Sequence, residues 1–337
     1  MTVKLILALI VGFGVSVGVG AFLVPWLRSI KAGQSIKEIG PVWHMSKSGT
    51  PTMGGIMFIA AAATVCFSVG MSCLRDGEWA HVFVLFFGLV FGVIGFLDDY
   101  EKLRHHENTG LSAKMKFLLQ LMAALVFLLL LRLRGYLSPN LYLPFWNTYV
   151  PISEPLYFLF AAFVIVGTVN AVNITDGVDG LAAGTCVPIF LCFTAVVFCW
   201  GKDFLAQGVF AAGLTGALLG FLVYNFHPAR VFMGDTGSLF LGGCIAGMAF
   251  ALDVPLLLIP LCVMPIIETL SDIIQVAYFK LTHGKRVFKM APFHHHLEMG
   301  GWLGHKWKET QIFTLFTAVT AVMAVISLLG VTGRYSF

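Results

Sequence analysis

Apolar residues run together along this chain in ten long blocks, separated by stretches that hold most of the polar residues. A helix needs about 20 apolar residues to cross the roughly 30 Å hydrocarbon layer of a bilayer. The blocks at 3–26, 53–73, 80–97, 115–131, 156–172, 181–200, 205–224, 237–252, 254–281 and 311–332 therefore predict ten membrane-spanning helices. The first is too long for a cleaved leader and is followed by no small-x-small cleavage site. The ninth would run about 42 Å as a continuous helix, more than the bilayer needs, so a bend at Pro260 and Pro265 is expected. Beyond that bend Glu268, Ser271, Asp272 and Gln275 share one face. Acids on a spanning helix are costly, so this stripe should line a wet cavity or bond to another helix.

The composition closes off the alternatives. Of 337 residues, 58% are hydrophobic and 11% charged, against near 45–50% apolar and about a quarter charged in soluble domains. That excludes a soluble enzyme, a disordered chain and a nucleic-acid binder, and predicts one all-α polytopic membrane domain over 1–337. Fifteen of the 21 Lys and Arg residues lie in 27–52, 98–114, 173–180, 225–236, 282–310 and the adjoining helix ends. The positive-inside rule puts those five loops in the cytoplasm and both termini outside. Asp98, Asp99, Glu101, Glu107, Asp176, Asp179, Asp235 and Glu298 fall on the same side, so any chemistry is expected there. The segment 132–155, with its Pro, Asn and Tyr residues, reads as a packed hairpin or an interfacial stretch. Seven cysteines without paired spacing suit packing rather than disulfides or zinc. Gly14/Gly18, Gly88/Gly92, Gly216/Gly220 and Gly243/Gly247 have the spacing that lets helices approach closely in lipid.

Each loop carries groups that suit phosphate and metal chemistry and that, singly, have a plainer reading. Asp98-Asp99-Tyr100-Glu101-Lys102 is an acidic pair with a lysine one turn on. Adjacent carboxylates repel unless a cation or proton relieves them, though a solvated helix end looks the same. The run from Asn170 to Gly180 offers two amides and two acids but lacks the closing Glu of a calcium loop. Phe232-Met233-Gly234-Asp235-Thr236-Gly237-Ser238 opens a helix, where glycines admit an anion and Asp235 would need a metal. Consecutive His294, His295 and His296 do not match the spacing of a zinc helix. Imidazoles contacting phosphate or sugar fit better. Lys47 and Ser48 to Gly55 bring donors and little bulk. Their shared side is more telling than any one of them: such a set suits two phosphorylated substrates and a hard cation.

In order, Asp98-Asp99-x-x-Lys102, Asn170-x-x-Asn173-x-x-Asp176-x-x-Asp179, Gly234-Asp235-x-Gly237-Ser238 and Pro292-x-His294-His295-His296-Leu297-Glu298 resemble the polyprenyl-phosphate N-acetylhexosamine-phosphate transferase superfamily. Lys47 to Gly55 and the histidine loop are similar to its phospho-N-acetylmuramoyl-pentapeptide transferase branch. The match runs from 47 to 298. It implies a bacterial plasma-membrane enzyme, usually a homodimer, whose cytoplasmic site moves phospho-MurNAc-pentapeptide from UDP-MurNAc-pentapeptide to undecaprenyl phosphate. Lipid I and UMP would be the products and Mg²⁺ the cofactor, with the lipid carrier reaching the site beside the bent ninth span. By the same resemblance Asp235 is the first metal ligand and Asp99 holds metal or substrate. Asp98 takes the proton of the lipid phosphate, and Lys102 and Lys114 hold phosphates. Asn170, Asn173, Asp176, Asp179 and Phe232 form the nucleotide and sugar-phosphate pocket, over which Lys47, Thr52 and His294 to His296 close. Direct attack and an aspartyl-phosphate intermediate both fit these residues. A sister transferase using UDP-GlcNAc is the near rival. A transporter would explain the spans and the Glu268/Asp272 stripe but not the polar loops gathered on one face.

Overall fold

Each of the ten apolar blocks is helical in the computed structural model, which describes residues 1–30, 47, 49–105, 110–135 and 137–335. Lys31, Lys37, Ser48 and Glu107 lie outside the described residues. Lipid offers the backbone no partners, so an apolar block of this length satisfies its peptide groups by coiling. The helices are α1 (Thr2–Ser29), α2 (Ile56–Phe67), α3 (Met71–Arg75), α4 (Ala80–His105) and α5 (Ala113–Leu133). After a hairpin follow α6 (Glu154–Thr175), α7 (Leu181–Trp200), α8 (Leu205–Asn225) and α9 (Gly234–Ala251). The chain ends with α10 (Leu258–Leu261), α11 (Val263–Leu281), α12 (Phe293–Glu298) and α13 (Glu309–Leu329).

By length and composition seven of these helices can cross a membrane, and the bent pair ending in α11 makes an eighth. The chain is a multi-pass membrane protein. Two predicted spans fall short of the simple pattern for identifiable reasons. The block 53–73 breaks at Gly70, where a Cβ would press on the His81 ring and the Cys66 carbonyl, leaving α2 with 12 residues. The 18 residues of α9 begin with Gly-Asp-Thr-Gly-Ser, which spends its first turn on polar groups. The predicted bend is present: Pro255–Leu261 and α11 meet at 79°. The break falls at Cys262, between Pro260 and Pro265. The segment 132–155 forms an antiparallel hairpin, β1 (Asn140–Leu143) with β2 (Thr148–Pro151), register Leu141 to Val150.

The core centres on α7, α8 and α9, which are mostly enclosed, while α1, α5 and α13 present a broad outer face. α1 lies along α8 and α4 along α9, each through glycine. A Cβ on Gly12 would strike the Gly213 carbonyl, and one on Gly216 the Leu9 carbonyl. Gly88 and Gly243 bring α4 and α9 together around Cys244 and Phe91. Gly14 and Gly18, by contrast, face open space within this chain. Nearer the polar end of the bundle, a Cβ on Gly95 would collide with the Asp235 carbonyl. Gly95→Ala should therefore lower stability by about 1–3 kcal/mol, read as a lower melting temperature in detergent. Gly14→Ala, with room for its methyl group, should leave melting unchanged.

Candidate active site

The close contact at Gly95 sets the site, because it lays the polar end of α4 across the first turn of α9. Asp98, Asp99 and Asp235 then present carboxylate oxygens within 4.8 Å of one another. Asp99 is tied to α9: it accepts hydrogen bonds from the backbone N–H groups of Asp235 (3.2 Å) and Thr236 (2.9 Å) and from the Thr236 hydroxyl (2.7 Å). A carboxylate there caps the helix and meets the positive end of its dipole. Gly234 enters this turn at φ +70, where a Cβ would crowd the Asp99 carboxylate and the Thr52 hydroxyl.

Asp235 faces inward. Its Oδ2 receives Lys102 Nζ at 3.0 Å and Lys116 Nζ at 2.7 Å, and its Oδ1 accepts from Asn173 Nδ2 at 2.8 Å. Lys102 also meets Asp98 Oδ2 at 2.6 Å, one helical turn back, and Leu111 N–H donates to Asp98 Oδ1 at 2.9 Å. Asn173 donates further to Ser238 Oγ at 2.8 Å. Four helices, α4, α5, α6 and α9, thus contribute to one cluster. The segments 51–55 and 232–233 are stitched to it by backbone hydrogen bonds: Phe232 N–H to Pro51 O, Gly54 N–H to Phe232 O, and Gly55 N–H to Met233 O.

Three close carboxylates are hard oxygen donors of the kind that hold Mg²⁺ rather than zinc. Their residual repulsion, only partly offset by two ammonium groups, suits a bound dication, so the donor set fits a metal. No histidine or cysteine joins the cluster among the described residues.

Beside this cluster lies a second one. Lys47 Nζ sits 2.7 Å from Asp179 Oδ1 and 2.6 Å from Glu309 Oε2. The other Asp179 oxygen meets His227 Nδ1 at 2.9 Å and accepts from Ala229 N–H at 3.0 Å. Burial alone would raise the Asp179 carboxyl, but Lys47, with the Ala229 and His227 hydrogen bonds, holds it below the usual carboxylate range. A lowered acid stabilises the fold above its unfolded value near 4 and loses that contribution as pH falls through its folded value. The melting-temperature gap between wild type and Asp179→Asn should accordingly narrow below about pH 4. At the end of α6, burial and then the charges of Asp235, Asp99 and Asp179 push Asp176 up to about 8.

The three histidines have three different settings. His294 Nδ1 is 2.7 Å from Glu268 of α11, and its backbone N–H donates to the same carboxylate at 3.0 Å. His295 Nδ1 is 2.7 Å from Glu298. His296 accepts the Lys289 N–H on Nδ1 and packs among Phe288, Phe293 and Trp302; burial keeps its ring below the ordinary value. Two members of the polar stripe of the bent span find their partners in this loop: Glu268 takes His294, and Gln275 accepts the Val287 and Phe288 N–H groups.

Of the residues singled out from sequence, Asp98, Asp99, Lys102, Asn173 and Asp235 meet directly, with Thr52 and Phe232 on the attached segments. Lys47 and Asp179 form the adjoining cluster. Asn170 points one turn deeper, where it donates to Gln120 Oε1 at 2.7 Å. Lys114 is exposed on the first turn of α5, and Lys116 makes the carboxylate contacts. The sequence motifs do not single out Lys116, Gln120, His227 and Glu309, which join these clusters. Lys116 and Gln120 do share a face of α5 at i, i+4, which is a usable signal. Glu309 reads from sequence only as an acid at a helix start.

Comparison with known proteins agrees with this geometry. The family model described as glycosyl transferase family 4 matches residues 81–253. Phospho-N-acetylmuramoyl-pentapeptide-transferase signature 1 matches residues 47–59. The chain is 44% identical over 308 residues to the phospho-N-acetylmuramoyl-pentapeptide-transferase of Caldanaerobacter subterraneus subsp. tengcongensis, covering 91% of this chain and 93% of that one. It is 46% identical to that of Heliobacterium modesticaldum (89% and 90% covered) and 45% identical to that of Geobacillus thermodenitrificans (88% and 90%). With identity of this order along nearly the whole chain, and the matched signature residues seated in the site, the chain belongs to the phospho-N-acetylmuramoyl-pentapeptide-transferase family.

Proposed function

We propose that this chain transfers phospho-MurNAc-pentapeptide from UDP-MurNAc-pentapeptide to undecaprenyl phosphate, forming lipid I and UMP, at the cytoplasmic face of a bacterial plasma membrane. The observation that carries the reading is the Asp98–Asp235–Lys102–Lys116 cluster at one end of the bundle, in a chain of this family. Attack of one phosphate on another brings anions together, and catalysis there is positioning plus charge neutralisation.

Asp235 would hold Mg²⁺ together with Asp99, which also fixes the start of α9. When bound, the ion supplies charge neutralisation at the pyrophosphate. With carboxylate charge engaged there, Lys102 and Lys116 are free to take phosphate oxygens, while Lys114 stands at the rim. Asp98 accepts the proton of the lipid phosphate. Asn173, Asp176, Asp179 and Phe232 line the side from which the nucleotide sugar enters, with Asn170 bracing them from below. Lys47 and Thr52, with the 294–296 loop, close that side. A homodimer is the assembly proposed.

The decisive experiment is UMP release by purified protein. Release from UDP-MurNAc-pentapeptide should require both undecaprenyl phosphate and Mg²⁺. Turnover of UDP-GlcNAc alone would overturn the substrate assignment, and ion flux in proteoliposomes without substrate consumption would overturn the reaction class.

A further inference from the structure

Glu268 lies in the middle of an apolar helix, is fully buried, and spends both carboxylate oxygens on one residue: Oε1 on the His294 N–H and Oε2 on the His294 ring. A carboxylate only accepts, so a ring hydrogen sits on Nδ1, and in the neutral ring Nε2 then carries the lone pair. That Nε2 is buried and has no partner among the described residues. It points at Gly177, next to Asp176, where a Cβ would collide with it. A buried ring nitrogen without a partner costs free energy, and in native proteins such an atom calls for an explanation. Here a bound ligand supplies one, because the 176–179 turn that Nε2 faces belongs to the candidate site.

We propose that Glu268 is a positioning residue for the transfer: it locks the His294 ring so that Nε2 accepts a hydrogen bond from a hydroxyl or amide of the donor sugar over the Asp176–Gly177 turn. The inference rests on the donor assignment above. It also gives the acid inside the bent span a purpose, since a shift of α11 would be felt at the site through this one ring. Outer partners of this kind typically change activity about 10–100-fold when removed.

Glu268→Gln tests it with little change of shape. A single amide oxygen serves only one of the two His294 donors. If the amide NH₂ faces Nδ1, the ring hydrogen moves to Nε2 and reverses what that atom offers. The variant should lose about 10–100-fold in kcat/KM and add nothing further in a His294→Ala background. Nitrogen-15 spectra of histidine-labelled protein should show His294 Nε2 as unprotonated in wild type and protonated in the variant. Wild-type kcat/KM in Glu268→Gln, or an equal loss in both backgrounds, would overturn the proposal. Should that variant fail to fold, Gly177→Ala carries the test: its methyl group displaces Nε2 without touching Glu268. A comparable loss supports the proposal and unchanged turnover refutes it. A wild-type protein that releases no UMP would sink the donor assignment instead. The spectra, which need no turnover, would still decide whether Glu268 sets the ring.

Discussion

Asp235→Ala should reduce UMP release at least about 10³-fold, the equivalent of some 4 kcal/mol of lost transition-state stabilisation. Both lysines and Asn173 converge upon Asp235, so its removal takes away the proposed metal ligand and the centre on which the other groups are aligned. The fold should tolerate the change. Lys102 keeps Asp98 at 2.6 Å, and Lys116 keeps it at 3.8 Å. One of three mutually repelling carboxylates is gone, which offsets part of the lost pairing. Melting should therefore move little while turnover collapses, and raising Mg²⁺ should not restore it. Activity within tenfold of wild type would remove Asp235 from the centre of the site.

The largest effect on stability is expected at the other end of the bundle. Arg334 donates to Asp253 Oδ2 at 2.8 Å, to the Leu252 and Asp253 carbonyls at 2.9 Å each, and to the Tyr149 hydroxyl at 2.9 Å. Its guanidinium also lies 4.4 Å from the centre of the Tyr142 ring and 5.2 Å from that of Trp200. One side chain thus joins the C-terminal turn, the hairpin, the end of α7 and the link after α9. Truncating one partner of a buried charged pair costs about 3–5 kcal/mol. Asp253 is partly exposed, which discounts that figure, so about 3 kcal/mol is expected for Arg334→Ala, a fall of roughly 5 °C in melting temperature. Arg334→Lys should recover little, because an ammonium does not reproduce the planar fork. Below the melting transition kcat should stay near wild type, since the cluster of Asp98 and Asp235 lies at the opposite end. A Tm unchanged in Arg334→Ala would show that the C-terminal turn is not held in this way.

Much of this candidate site is legible in the sequence. Asp98, Asp99, Lys102, Asn173 and Asp235 stand in short motifs whose chemistry is visible in the residue types, and they do meet. Lys114 and Lys116 sit two positions apart at the start of α5, and nothing in composition separates them. The turn of the helix does: Lys116 faces α4 and α9, and Lys114 faces out. Asp179 reads from sequence as a pocket acid, yet in the fold Lys47 and His227 take its oxygens and Glu309 accepts its backbone N–H, and the three come from distant parts of the chain. The stripe from Glu268 to Gln275 left a wet cavity and a bond to a neighbouring element equally open. Packing of the 282–310 loop onto α11 gives Glu268 and Gln275 their bonds to a neighbouring element.

The apolar blocks, the bend between two prolines and the gathering of charged residues into one set of loops follow from sequence alone. Their causes are local: bilayer thickness sets the length of an apolar run, and proline removes a backbone donor wherever it stands. The pairing of particular acids with particular lysines and histidines is a tertiary outcome. It depends on how near two helix ends come, and that distance is set by glycine contacts such as Gly95 against Asp235, between segments far apart in the chain. A carboxylate's partner is whatever cation the packing brings within about 3 Å, and no reading of one segment by itself contains that distance.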